Sequence, residues 1–314
     1  MTCSIAIRLS TLIAFGVTAG LAAAPALAQS NARDEAARRA QVLATTPPDA
    51  AKVQFGRQTA PAPLAARAIG SYAKGCLAGA QALAVDGATW QVMRLSRNRN
   101  WGHPDLIAHL EELARQVPNA TGWPGILVGD ISQPRGGPML TGHASHQIGL
   151  DADIWLTPMP RSRLSAEERD EKLATNMVRA DWMDVDEAVW TPAHAAFIRL
   201  ASASPRVERV FVNPAIKKAL CRQAGADRGW LAKVRPMWGH NYHAHIRLTC
   251  PAGLEGCTPQ DPPPGGDGCG QELTDWLAQQ HKAIFGPKKP APPAPPPMTV
   301  DALPPECRKV LVAR

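Results

Sequence analysis

Gly142-His-Ala-Ser-His-Gln-Ile-Gly-Leu-Asp-Ala-Asp-Ile-Trp-Leu156 is the stretch on which the fold turns. On a helix, His146 and Asp153 would lie about 10 Å apart along the axis, too far to share an ion held near 2 Å from each. Gly149 instead permits a sharp turn, after which Leu150 to Leu156 reads as a strand with Asp151, Asp153 and Trp155 on one face. A turn followed by a strand can bring His146 and Asp153 together. The second half of the pattern is Trp238-Gly-His-Asn-Tyr-His-Ala-His245, where His243 and His245 stand two apart before the alternating Ile246-Arg-Leu248. That spacing puts both imidazoles on one face of another strand, so both can touch one ion or its water. Five of the nine His, including His143 and His240, fall in these two segments. Imidazole with carboxylate suits Zn2+, which in catalytic sites takes three protein groups and keeps a fourth position open.

Outward from these segments, Gly125 to Gly129 and Arg209 to Val212 read as further strands. Helices are predicted over His103 to Gln116, Pro192 to Ala203 and Asn213 to Ala224. The first carries the apolar stripe Leu106, Leu110, Leu113 and Ala114, with Pro104 suited to its first turn. Mixed elements without strict strand–helix alternation indicate an α+β domain, here placed over 70–285. Residues 29–69, punctuated by Pro47-Pro48, Pro61 and Pro63, read as a frayed, flexible lead-in. Seven prolines within 287–297 make 286–314 a polyproline-like arm without a core.

The first 28 residues read as a cleavable export signal: Arg8, an apolar run from Leu12 to Leu27, and Ala26-Leu27-Ala28 as the cleavage site. The mature chain then begins at Gln29 in a compartment outside the cytoplasm. No Cys stands at the cleavage point, which argues against a lipoprotein, and no later apolar run is long enough to span a bilayer. With 45% apolar and 19% charged residues, the chain has a globular balance. Its formal charge of +7, mild and without a Lys/Arg block, predicts no nucleic-acid partner. Once Cys3 leaves with the signal, Cys76, Cys221, Cys250, Cys257, Cys269 and Cys307 remain, an even set that suggests three disulfides. Spacing alone leaves the pairing open, with only Cys250 and Cys257 locally closable.

His146-x6-Asp153 with His243-x-His245 resembles the zinc peptidase superfamily of lysostaphin-type enzymes, D-Ala-D-Ala metallopeptidases and the Hedgehog N-domain fold. Within it, the chain is similar to the penicillin-insensitive murein endopeptidases. The likeness covers about 65–310. It includes Gly70-Ser-Tyr-Ala-Lys-Gly-Cys76, Gln91-Val-Met-Arg94, Gly102-His-Pro-Asp-Leu106, Gly142-His-Ala-Ser-His146, Val212-Asn-Pro-Ala-Ile216 and Gly265-Gly-Asp-Gly-Cys-Gly270. The resemblance implies a single catalytic domain with a central antiparallel sheet flanked by helices. It implies Zn2+ on His146, Asp153 and His245, with His243 as the non-ligand proton carrier and His240 as its understudy. His143 would be an auxiliary group or a ligand of a second ion between subunits of a homodimer. For that second ion, the segment 180–186 offers Asp181 and Asp184 but no His, so its ligand set is incomplete. The resemblance also implies the pairs Cys76–Cys307, Cys221–Cys269 and Cys250–Cys257, the first of which would staple the proline-rich arm.

The reaction so implied is hydrolysis of the D-alanyl to meso-diaminopimelyl crosslink of periplasmic peptidoglycan. Without a Ser nucleophile, β-lactams find nothing to acylate, and without H-E-x-x-H there is no helix-borne Glu base. The rival readings are a D-Ala-D-Ala carboxypeptidase or dipeptidase of the same superfamily, a metal module that binds wall peptide without cutting it, and a structural wall protein anchored by its proline-rich tail.

Overall fold

The computed structural model describes residues 32–253, 255–288, 290 and 295–314. The export signal and the expected start at Gln29 lie outside them. Among the described residues no helix is long and apolar enough to cross a membrane.

The chain opens with helices α1 (Ala32–Thr45) and α2 (Ala51–Gly56), the hairpin β1 (Arg67–Ser71) and β2 (Lys74–Ala78), and the short strands β3 (Gln81–Ala82), β4 (Trp90–Val92) and β5 (Trp101–Gly102). Then come α3 (Pro104–Thr121), β6 (Ile126–Val128), β7 (Asp151–Trp155), α4 (Ala166–Glu171), α5 (Pro192–Ala203), β8 (Val207–Val212) and α6 (Pro214–Gln223). The chain closes with β9 (Val234–Pro236), β10 (His243–Leu248), α7 (Gln271–Phe285) and α8 (Glu306–Val312). The main sheet has the order β4-β6-β7-β10-β8-β9. Its middle is antiparallel, as expected, while the outer pairs β4–β6 and β8–β9 are parallel, so the sheet is mixed.

Strands β7 and β10 form the centre because every residue of both is buried. Their register sets His245 opposite Asp153, His243 opposite Trp155 and Arg247 opposite Asp151. On one side the sheet presents Ala152, Ile154, Ala244 and Ile246 to the core shared with α3 and α5. The charged residues between them therefore face the other side, where the site lies. Helix α3 starts as its sequence directs: His103 caps it by accepting from the Asp105 amide, and Pro104 takes the first turn. It runs past Gln116 to Thr121, through Pro118, because buried Val117 continues the apolar stripe; Gly122 then ends it at φ +76°.

Both chain ends differ from the sequence expectation. Residues 32–45 are helical, since Pro47-Pro48 follow α1 and bound it without interrupting it. Helix α2 buries Ala51, Val53 and Phe55, and Ala50 bridges to Thr299. The end of the arm is likewise packed: Val300, Leu303, Cys307, Val310 and Leu311 join Phe55 and Ile69 in a second apolar cluster. The disulfides are Cys76–Cys307, Cys221–Cys269 and Cys250–Cys257.

Candidate active site

His146 and Asp153 meet through the turn at Gly149, whose φ is +70°. A Cβ there would come within 2.9 Å of the His103 amide nitrogen, so only glycine fits. His146 itself has φ +67°, a left-handed conformation unusual for a residue with a side chain. Three bonds hold it there. Its amide donates to Asp151 Oδ2 at 3.0 Å, its carbonyl accepts from Ser132 Oγ at 2.6 Å, and its Nδ1 lies 2.5 Å from the Ile131 carbonyl. With Nδ1 donating to that carbonyl, the Nε2 lone pair points inward.

Asp153 Oδ1 is the hub. It lies 3.4 Å from His146 Nε2, 3.5 Å from His243 Nε2 and 3.5 Å from His245 Nδ1. Ligand atoms about 2.0 to 2.1 Å from a tetrahedral ion stand roughly 3.4 Å from one another, and these separations from Asp153 Oδ1 match that spacing. His146 Nε2 and Asp153 Oδ1 are buried and have no hydrogen-bond partner among the described residues. Polar atoms left so in a core need something to bind, and a divalent cation fits both. His143 sits on the other carboxylate oxygen, with Nδ1 3.5 Å from Asp153 Oδ2. His143, His146 and Asp153 form a group whose ligand atoms lie within 4.8 Å of one another. Two possible triads thus share His146 and Asp153 and differ in taking His143 or His245.

The two rings differ in the oxygen of Asp153 that they face, Oδ2 for His143 and Oδ1 for His245, and each has a carboxylate behind its Nε2. Fully buried, Asp151 accepts from Arg247 Nε at 2.7 Å and Nη2 at 3.1 Å, and it lies 3.0 Å from His245 Nε2. This last is a charge contact and not an aligned hydrogen bond, and it leaves Nδ1 on the side of Asp153 Oδ1. His143 is oriented in the same way, with Nε2 2.9 Å from Asp130 Oδ2 and Nδ1 toward Asp153. Burial alone would raise both Asp151 and Asp153; for Asp151 the Arg247 charge, and for Asp153 the surrounding imidazoles, hold the carboxyl well below the usual range. Burial pushes His243 down to about 4, against the pull of Asp153. His240 is also pushed far down, by burial and by His243 and His245. Its ring lies 4.7 Å from that of His243, and its Nδ1 lies 2.8 Å from the Trp238 carbonyl. Tyr242, whose ring is 4.6 Å from His243, is raised to about 12 by burial and the nearby Asp153 and Asp130, so it keeps its phenolic proton.

All five sequence-selected imidazoles and Asp153 therefore lie together. Asp181 and Asp184 do not join them: Asp181 pairs with Arg179, and Asp184 with Lys218 and Arg222. The sequence reading assigned no role to Asp151, Asp130, Tyr242 or the arginines Arg94, Arg97 and Arg99. With His143, His243 and Asp153, these three arginines line a cleft of about 150 Å³ beside the hub.

Imidazoles and a carboxylate converging on one point of an α+β domain, with a cleft at their flank, are the arrangement of a metallopeptidase. A sequence model described as penicillin-insensitive murein endopeptidase matches residues 68–312, and the chain belongs to that family. Relatives bearing the same description include one from Haemophilus influenzae, 54% identical over 209 residues, which covers 67% of this chain and 72% of the relative. One from Pectobacterium atrosepticum is 45% identical over 245 residues, covering 78% and 84%. Another, from Escherichia coli O1:K1, is 44% identical over 253 residues, covering 81% and 89%.

Proposed function

We propose that the chain is a zinc-dependent endopeptidase of the periplasm that hydrolyses the D-alanyl to meso-diaminopimelyl crosslink of peptidoglycan. The observation that carries this reading is the convergence of three imidazole nitrogens on Asp153 Oδ1 beside an open cleft, in a chain whose relatives are named for cleaving murein. His146, Asp153 and His245 would hold the ion. Bound zinc supplies Lewis acidity, which lowers the pKa of a water toward neutrality and polarises the scissile carbonyl.

The remaining chemistry belongs to the chain. His146 Nδ1 faces the Ile131 carbonyl and His245 Nε2 faces Asp151, so Nε2 of the first ring and Nδ1 of the second would be the atoms that hold the ion. His243, neutral at working pH, accepts a proton through Nε2 and returns it to the leaving amine. Tyr242 keeps its hydroxyl proton and donates toward the charge that develops on the carbonyl oxygen. His240, whose ring lies tilted against that of His243 at 4.7 Å, can relay or replace it. His143, held on Asp130, is an auxiliary group. Asp181 and Asp184 are taken up by cations, and nothing among the described residues favours a homodimer built on an interface ion.

The test sets a crosslinked muropeptide dimer beside an uncrosslinked pentapeptide. The expected result is conversion of the dimer to monomers by zinc-loaded protein. Release of only the terminal D-alanine from the pentapeptide would replace the reading with a carboxypeptidase. Turnover of neither would reduce the chain to a binding module.

A further inference from the structure

Arg38, Arg94, Arg97 and Arg99 line the cleft beside the cage. Asp130 is committed inside the fold, accepting from Arg97 Nη1 at 3.0 Å and Arg99 Nη1 at 2.9 Å and standing 2.9 Å from His143 Nε2. A second carboxylate comes from outside the sheet. Glu35 of α1 enters the same cleft, with Oε1 3.6 Å from Arg99 Nη2 and Oε2 3.9 Å from Arg97 Nη2, and it accepts from the Thr141 hydroxyl.

The way α1 is attached is unusual. A surface helix ordinarily docks through an apolar stripe, yet Glu35 is the one buried residue of α1. Val42 adds only a partly buried contact with the small cluster of Ala50, Val53 and Leu140. The one buried anchor of the helix over the cleft is therefore a carboxylate seated among guanidinium groups. At 3.6 and 3.9 Å neither guanidinium contact has closed to a hydrogen bond, so a carboxylate that meets a guanidinium in bidentate geometry would bind there more strongly. Arg99 Nε, also buried, has no hydrogen-bond partner among the described residues.

The pocket is also close to the chemistry. From Asp153 one crosses the His143 ring, at 3.5 Å, and then the Asp130 carboxylate to reach both arginines. A peptide residue spans about 3.5 Å, so a carboxylate within one to three residues of a bond held at the cage falls in this pocket. We propose that Arg97 and Arg99 form a subsite for a carboxylate of the substrate peptide, and that Glu35 fills it until that carboxylate displaces it. The proposal rests on the peptidase reading above. The diaminopimelyl residue of that crosslink carries a free carboxylate on the carbon bearing the scissile nitrogen, which is the class of group the pocket takes.

The test uses the full-length, zinc-loaded protein and two muropeptides that differ only in a diaminopimelyl carboxylate or carboxamide. Hydrogen exchange of the α1 amides should quicken at least threefold with saturating carboxylate peptide and stay unchanged with the carboxamide. Glu35→Gln should show fast exchange without ligand and a KM for the carboxylate substrate lowered several-fold. Arg97→Gln should raise KM for the carboxylate substrate at least tenfold more than for the carboxamide. Equal KM for the two substrates in the unsubstituted protein would overturn the subsite. Unchanged α1 exchange with the carboxylate peptide, together with an unchanged KM in Glu35→Gln, would overturn the role of Glu35. If neither peptide is cleaved, the peptidase reading fails, and the exchange measurement still decides whether the pocket takes a carboxylate.

Discussion

Asp151→Asn keeps the shape of a buried side chain and removes its charge, and two groups depend on that charge. Arg247, 7% exposed, loses the counterion that accepts its Nε and Nη2 at 2.7 and 3.1 Å. It keeps Gln260 Oε1 at 2.7 Å and the faces of Tyr72 and Phe211, none of which neutralises it. Removing one partner of a buried pair costs about 3 to 5 kcal/mol. Because a chain of this size moves roughly 2 to 4 °C per kcal/mol, Tm should fall by about 6 to 20 °C. His245 also loses the carboxylate that holds Nδ1 toward the cage, and such supports are commonly worth about tenfold to a hundredfold in metal affinity. Zinc affinity by chelator competition and stability of the metal-free protein by urea unfolding separate the two effects. In the double variant Asp151→Asn/Arg247→Met, most of the stability should return because no buried charge is stranded, while zinc affinity stays low. Zinc affinity unchanged in Asp151→Asn would refute the argument that this carboxylate orients His245.

His146→Ala, Asp153→Ala and His245→Ala should each lose bound zinc and activity together, measured by metal analysis beside turnover, whereas His143→Ala should weaken both without abolishing either. His243→Ala should keep its zinc and KM and lose about 10²-fold to 10⁴-fold in kcat; a zinc-free variant rescued by excess metal would make it a ligand instead. Asp130 would be raised by burial but is held well below the usual range by Arg97, Arg99 and His143, so its stabilisation is present above the unfolded carboxylate pKa of about 3.9 and is lost as pH falls further. Tm should therefore drop below about pH 4, and the drop should be shallower in Asp130→Asn; an identical acid limb would contradict this. Cys76–Cys307 joins residues 231 apart, so Cys307→Ser should cost about 2 to 5 kcal/mol in urea unfolding, with α8 losing its exchange protection first.

The pairing of the two His segments was legible because strand parity and one glycine determine it. Gly149 makes the turn, and His245 opposite Asp153 follows once both runs are strands. The same register places Arg247 opposite Asp151 two residues along, so the charge that supports His245 was also available to a reading that carried the pairing further. The parallel outer pairs were not legible, since β4, β6 and β9 are three residues each and carry no alternation to read. Prolines misled the reading at both ends. Pro47-Pro48 bound α1 without breaking it, and the prolines of 287–297, part of which lies outside the described residues, precede the packed segment that ends in α8. The arginine cleft has no local signature, because Glu35, Arg97, Asp130 and Thr141 are brought together only by the tertiary fold.

If His146, Asp153 and His245 hold one zinc ion, cleavage of a crosslinked peptide depends on that ion alone. Stripping the protein of metal and titrating zinc back, while following conversion of a crosslinked muropeptide dimer to monomers, tests it most directly. No turnover is expected without metal, and activity should return linearly and saturate at one zinc per chain. Turnover that persists in the stripped protein, or that needs two ions per chain, would contradict it.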